Sequence, residues 1–532
     1  MATAGKTKSL PETSKRRQKS QFDPRWLILF LLIAVSLVVA ISVNKVHIHD
    51  NKSNSVDVLD VDNSDVDINW DRYQTVDIEL KESLRITKSG TYHLTGNLAS
   101  GGIVVEAGVG EVRLILDNAT INNPTGPAIL CRSADEFVIE ITGSSILSDG
   151  ANYSDDYDED IKGTIYSKAD LTFQGNGNLT INGNHEDGII GKDDLKFTSG
   201  TYQINSVDDG ILGKDSVYIT GGQFIVESTA NAIKSTNQDT PSKGFILIED
   251  GSFNLKTMSK GLKAESSIII SGGKFTINAY DDALHTGNYL GIIDGEFNIS
   301  SGDDALHADQ KIEIDGGKLN VARSHEGIES PSVTINDGDI YLIASDDGVN
   351  AGGRTNESGE TSTDSDCVLI INGGSIYINA SGDGLDSNGW IYFNGGHIVI
   401  DGPTTDGNGA LDATMGVVTN GGEIIALSSD EATASLGQTS LIHNVNIQFD
   451  IIQPPNTRIA IKDSEDFTIL EHTSAKSFKQ ITAGTSGFLP RKTYTLYIND
   501  APYQSFDISS TTTDVKINDT NLEYDENANV EQ

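Results

Sequence analysis

Residues Gly272 to Ala308 read GGKFTINAYDDALHTGNYLGIIDGEFNISSGDDALHA. The half GGKFTINAYDDALH returns 22 residues later as DGEFNISSGDDALH, so Gly273, Asp282 and His285 have counterparts in Gly295, Asp304 and His307. The frame extends in both directions. Its second glycine falls at Gly200, Gly222, Gly251, Gly273, Gly295, Gly317, Gly338, Gly374, Gly396 and Gly422, in steps of 22, 29, 22, 22, 22, 21, 36, 22 and 26. A fixed period of this length is the signature of a solenoid and overrides a domain count taken from length.

After each glycine comes an alternating run: Phe275 and Ile277, Phe297 and Ile299, Leu319 and Val321, Ile376 and Ile378. Alternation with period 2 buries one face and wets the other. β-Branched residues dominate these runs and no window shows 3.6 spacing, which excludes helical repeats. A repeat of turn, strand, turn, strand with about three short strands predicts an all-β fold: a right-handed parallel β-helix solenoid of about 22 residues per coil. Coils rising about 4.8 Å each would make ten of them a rod roughly 50 Å long.

In a solenoid, residues of one phase stack. The acidic phase holds Glu186–Asp187, Asp208–Asp209, Asp281–Asp282, Asp303–Asp304, Glu326, Asp346–Asp347 and Asp383, interrupted by Asn231 and Lys260. Three residues on runs a second ladder: His285, His307, Glu329, Asn350, Asp386. Carboxylates about 5 Å apart repel by roughly 0.8 kcal/mol in water and about 3 kcal/mol at an effective dielectric of 20. Such a column calls for cations. Calcium takes six to eight oxygens at about 2.4 Å, so Asp208, Asp209, Asp281, Asp282, Asp303, Asp304, Glu326, Asp346, Asp347 and Asp383 are its expected ligands. The competing reading is that Asp-Gly pairs simply form turns, since Asp bonds the backbone and Gly accepts positive φ. The nonapeptide calcium repeat has period 9 and does not match.

The ends of the chain are different in kind. Residues 1–25 carry Lys15, Arg16, Arg17, Lys19 and Arg25, and Trp26 to Val43 is an uncharged apolar run. This predicts a cytoplasmic basic tail and a single membrane anchor over 26–43, with a cleaved signal peptide as the rival. Residues 44–69 read as an acidic linker, 70–163 as an N-terminal cap with the first coils, 164–426 as the β-helix, 427–510 as a small C-terminal β extension and 511–532 as a disordered tail. Insertions near 237–243, 352–366 and 401–409 would bulge from one face as loops. With Asp+Glu 77 against Lys+Arg 37 and a net charge of −40, a nucleic-acid partner is excluded, because phosphates demand basic patches. Cys131 and Cys367 are too few and too far apart for a disulfide framework or zinc site.

Four segments carry a family likeness: SGTYHLTGNL (Ser89–Leu98), TIYSKADLTFQGNGNLTINGNHEDGIIGKDDLKFTSGT (Thr164–Thr201), VDDGILGKDSV (Val207–Val217) and KTYTLYI (Lys492–Ile498). From about Thr75 to Tyr497 the chain resembles the bacterial carbohydrate-binding domain-containing β-helix family, similar in fold to pectate lyases. The resemblance implies binding of cellulose- or polygalacturonate-type polysaccharide with calcium. It also leads one to expect a basic residue after Asp208-Asp209-Gly210-Ile211, where Leu212 stands.

Three functions follow. The first is a membrane-anchored, extracytoplasmic polysaccharide binder, whose divalent ions bridge protein and sugar carboxylates; His285, His307, Tyr341, Tyr377, Tyr392 and Arg354 are its candidate sugar contacts, since sugar rings stack on flat aromatic faces. The second is a calcium-dependent polysaccharide lyase, with Lys192, Lys214 or Arg323 as the base. The abundant acids would raise a lysine pKa rather than lower it, which favours the binder. The third is a calcium-stabilised structural adhesin.

Overall fold

The computed structural model describes residues 47–49, 56–58, 68–352, 367–405, 407–429, 433–437 and 440–517. The chain divides into two units, Met1–Val61 and Asp62–Gln532. In the first, the strand His47–His49 pairs antiparallel with Val56–Val58. The 26–43 segment and Arg354 lie outside the described residues, as does most of the 44–69 linker. Among the described residues no helix is long and apolar enough to cross a membrane.

The second unit is all-β, with long parallel sheets. Each repeat gives one strand to each of three faces. In one winding these are Lys274–Ala279 on the first face, Leu284–Thr286 on the second and Tyr289–Ile292 on the third. Each pairs parallel, in register, with its equivalents one repeat before and one after. The second face is a sheet of 14 strands from Leu84–Ile86 to Leu411–Ala413. The winding begins at Thr75–Leu80, ahead of the strict sequence period.

Turn chemistry explains the period. All ten glycines of the frame have positive φ, between 83° and 141°, a region that a Cβ makes costly. The alternating residues fill the interior: Phe275, Ile277, Phe297 and Ile299 are buried. On the first face, Tyr202, Phe224, Phe253, Phe275 and Phe297 stack ring on ring, with centroids 4.5–5.0 Å apart. At a corner, Asn336, Asn372, Asn394 and Asn420 form an amide ladder, each Nδ2 donating to the preceding Oδ1 at 2.7–2.8 Å. Side-chain ladders of this kind pin the register that backbone pairing alone leaves free to slip.

The winding ends at Glu423–Ser428, which pairs antiparallel with Phe478–Thr485. Beyond it, Arg458–Asp463, Thr468–Thr473, Thr493–Ile498 and Ala501–Asp507 form a four-stranded antiparallel sheet. The expectation of disorder from residue 511 is corrected at its start. Thr512–Ile517 is a strand paired parallel with His443–Gln453, and its alternate side chains Thr513 and Ile517 are buried.

Candidate functional site

The acidic phase stacks as one column at the turn between the first and second faces. The second aspartate of each turn spends one oxygen on the next winding. The backbone N–H of Asp209 donates to Asp187 Oδ1 at 2.8 Å, and that of Asn231 to Asp209 Oδ1 at 2.8 Å. Asp304 N–H donates to Asp282 Oδ1 at 3.1 Å and Glu326 N–H to Asp304 Oδ1 at 3.3 Å. Further on, Asp383 N–H donates to Asp347 Oδ1 at 2.6 Å. The turn-forming role of these aspartates is therefore real, and it is inter-winding rather than local.

The second oxygen, Oδ2, faces the adjacent ladder. That ladder runs in register through Leu212, Lys234, Lys263, His285, His307, Glu329, Asn350, Asp386 and Asp412. Lys234 Nζ donates to Asp209 Oδ2 at 2.8 Å. The basic group expected where Leu212 stands is thus supplied one winding later. Lys260 Nζ donates to Asp282 Oδ2 at 2.6 Å, and His285 Nδ1 lies 2.8 Å from the same oxygen. Burial works against the charged Asp282, but the bonds from His285 and Lys260 prevail and hold its pKa at about 2. His307 Nδ1 lies 2.9 Å from Asp304 Oδ2.

Compensation then stops. Asp346, Asp347, Asp383, Asp386 and Asp412 follow, and among the described residues no lysine or arginine pairs with them; the imidazole of His325 lies 3.8 Å from Asp346. Burial first, and the neighbouring acids second, push Asp347 up to about 6 and Asp386 to about 7. Glu326 rises to about 8 for the same reasons. A Cβ on Gly382 would stand 2.3 Å from Oδ1 of both Asp346 and Asp347. Both Oδ1 atoms therefore lie against Gly382, that of Asp347 while it accepts from the Asp383 N–H. Glu326 Oε2 and Asn350 Oδ1 are buried without a hydrogen-bond partner. This end of the column is an all-oxygen donor set of the type calcium requires. At Asp209 and Asp282 lysine ammonium groups already hold the Oδ2 atoms.

The remaining candidates separate. Tyr341 and Tyr377 stack on each other at 4.9 Å. Tyr377 also donates to Asp401 Oδ2 at 2.8 Å, so its ring is tied to the structure rather than free. Tyr392 belongs to the third face, beside Trp390. Lys192 pairs with Asp160 at 3.8 Å and Lys214 is exposed. Arg323 lies five or six windings away from them, roughly 25–30 Å at about 4.8 Å per winding. The three proposed bases do not converge.

Arg323 instead lines a groove of about 350 Å³ with Lys256, Met258, Asn278, Tyr280 and Ser300. Tyr280 is 71% exposed and Met258 60%. A register shift opposite Ile299 and Ser300 falls at Arg323, the kind of irregularity that re-aims a side chain. The groove adjoins the acidic turn, because Tyr280 directly precedes Asp281–Asp282. Sequence reasoning passed over Tyr280; the signal was an aromatic at a phase where the next repeat has Gly302.

Among known proteins, the family model described as "Carbohydrate-binding domain-containing protein" matches residues 81–348, just over half of the chain. A carbohydrate-binding domain-containing protein of Acetivibrio thermocellus is 34% identical over 144 residues, 26% of this chain and 50% of the relative. The chain thus spans about half the length of that relative. A solved structure of a polysaccharide lyase-like protein from C. thermocellum, a gadolinium derivative, is similar at 28% identity with a TM-score of 0.37, over 47% of this chain and 96% of the other.

Proposed function

The chain belongs to the family of carbohydrate-binding domain-containing proteins, and from that premise we propose that it is a calcium-dependent polysaccharide binder built on a right-handed parallel β-helix. In this reading the 26–43 segment anchors it in the membrane and the wound unit lies outside the cytoplasm. Calcium occupies the acid-rich end of the column. Its ligands are drawn from Asp346, Asp347, Asp383, Asp386 and Asp412, with Asn350 Oδ1 adding a neutral oxygen. The single observation that carries the reading is the run of half-buried carboxylates Asp346, Asp347, Asp383 and Asp386, continued by the exposed Asp412, with no lysine or arginine paired to it among the described residues, next to a partnerless amide oxygen. A saccharide packs its ring on Tyr280, with Asn278 and Arg323 in reach of its hydroxyl and carboxylate groups.

The test is a calcium titration of the full chain followed by retention on insoluble cellulose and on pectate. Calcium is expected to raise the melting temperature, chelation to release the protein from pectate, and Tyr280→Ala to weaken retention about tenfold, ~1.4 kcal/mol. Retention indifferent to both chelator and Tyr280→Ala would refute this reading, and no retention on either polymer with the melting temperature still raised by calcium would favour a purely structural role.

A further inference from the structure

Midway along the column the compensating group is imidazole rather than ammonium. His285 and His307 hold successive positions of the second face. Their rings stack at 4.6 Å and 16°, and each is only 22% exposed. Two sets of donors overlap here: Asp282, His285 and His307 bring one ligand atom each within 4.8 Å of one another, and Asp304, His307 and Glu329 do the same. His307 Nδ1 lies 2.9 Å from Asp304 Oδ2 and 2.8 Å from Glu329 Oε2.

We propose that these rungs form a second metal site, of zinc(II) class, in which His307, Asp304 and Glu329 bind the ion and His285 borders the remaining coordination position.

Donor chemistry sets the class. Calcium takes oxygen ligands, whereas imidazole combined with carboxylate suits zinc and its first-row neighbours. Size agrees. Bonds of about 2.0–2.2 Å put tetrahedral ligand atoms roughly 3.4 Å apart, so the three converging atoms need to part by about half an ångström to admit an ion. The supporting shell is already built. Asp304 Oδ1 accepts from the Glu326 N–H at 3.3 Å, which aims Oδ2 at His307. Asp282, fixed by Lys260, holds His285 through Nδ1. A carboxylate behind a histidine is the usual means of orienting a metal-site imidazole. Charge agrees as well: two carboxylates facing one imidazole match a divalent ion better than a single proton does. This site shares no donor with the proposed calcium set, although Glu329 is the register neighbour of Asn350 one winding before it.

The experiment uses the untagged full chain, stripped with chelator and re-equilibrated in excess calcium. Zinc and cobalt(II) are then titrated, with bound metal measured by elemental analysis and cobalt by its visible absorption. The chain is expected to retain about one zinc ion against calcium and to give the intense visible bands of four-coordinate cobalt. His307→Ala and Glu329→Gln should each weaken zinc binding at least about tenfold while leaving the calcium-induced rise in melting temperature intact. Asp347→Asn should do the reverse. Zinc displaced by calcium, weak six-coordinate cobalt absorption, or zinc binding that survives both variants would overturn the assignment. The circular dichroism of each variant separates loss of the site from loss of the fold.

Discussion

At the scale of single residues, the stacked aspartates divide their labour between two oxygens. Oδ1 ties one winding to the next through a backbone N–H, and Oδ2 is offered to whatever compensates the charge. The alignment of the acids was legible from the 22-residue period alone. The division was not, since it depends on the side-chain torsion each turn permits. Nor was the reach of Lys234 back to Asp209, because periodicity reports phase and not the length of a side chain. Gly382 tests this end of the column directly. Gly382→Ala places a methyl group 2.3 Å from Oδ1 of both Asp346 and Asp347, so it should lower calcium affinity by about tenfold or more, ~1.4 kcal/mol, in an isothermal titration, with zinc binding unchanged. Equal calcium affinity in the variant would place the ion elsewhere.

At the scale of elements, the interior is ordered by like stacking on like. Phe275 lies between Phe253 and Phe297, with interplanar angles of 2° and 5°. Offset stacking of this kind adds to the burial of each ring. Phe275→Ala should destabilise the unit by about 3–5 kcal/mol, since the cavity is lined by fixed rings that cannot collapse. Denaturant unfolding measures this, and a loss below about 1 kcal/mol would mean that the stack is not load-sharing. The glycines, the alternation and the parallel order of these strands could all be read from sequence, because one repeat predicts the next. Thr512–Ile517 could not. Its sequence, TTDVKI, is polar, and its partner strand lies about 70 residues earlier, where no period connects them.

At the scale of the whole wound unit, its far end is closed by a buried polar lock. Asp401 accepts from Tyr377 and lies 3.1–3.2 Å from His472 Nε2, while Lys476 donates to the Ala380 carbonyl. Burial lowers the Lys476 pKa from 10.5 to about 8. In the window between those values the unfolded chain binds more protons than the folded one, so stability rises with pH there, and below it the cost of burying the charge is constant. Lys476→Met should remove that slope. Between pH 7.5 and 9.5 the wild type should gain roughly 1 °C in melting temperature relative to the variant; parallel profiles for the two proteins would show that the ammonium is effectively solvated. None of this was legible in advance, because the closing strands fall where the 22-residue frame has ended.

Each winding finds its template in the one before it, only about one period back along the chain. A polypeptide that emerges from its N-terminal side can therefore grow by accretion, every new turn laid on a finished surface, without waiting for distant partners. The closing strands, Phe478–Thr485 antiparallel to Glu423–Ser428 and Thr512–Ile517 parallel to His443–Gln453, instead pair across longer stretches of chain, which makes them the latch of a vectorial assembly.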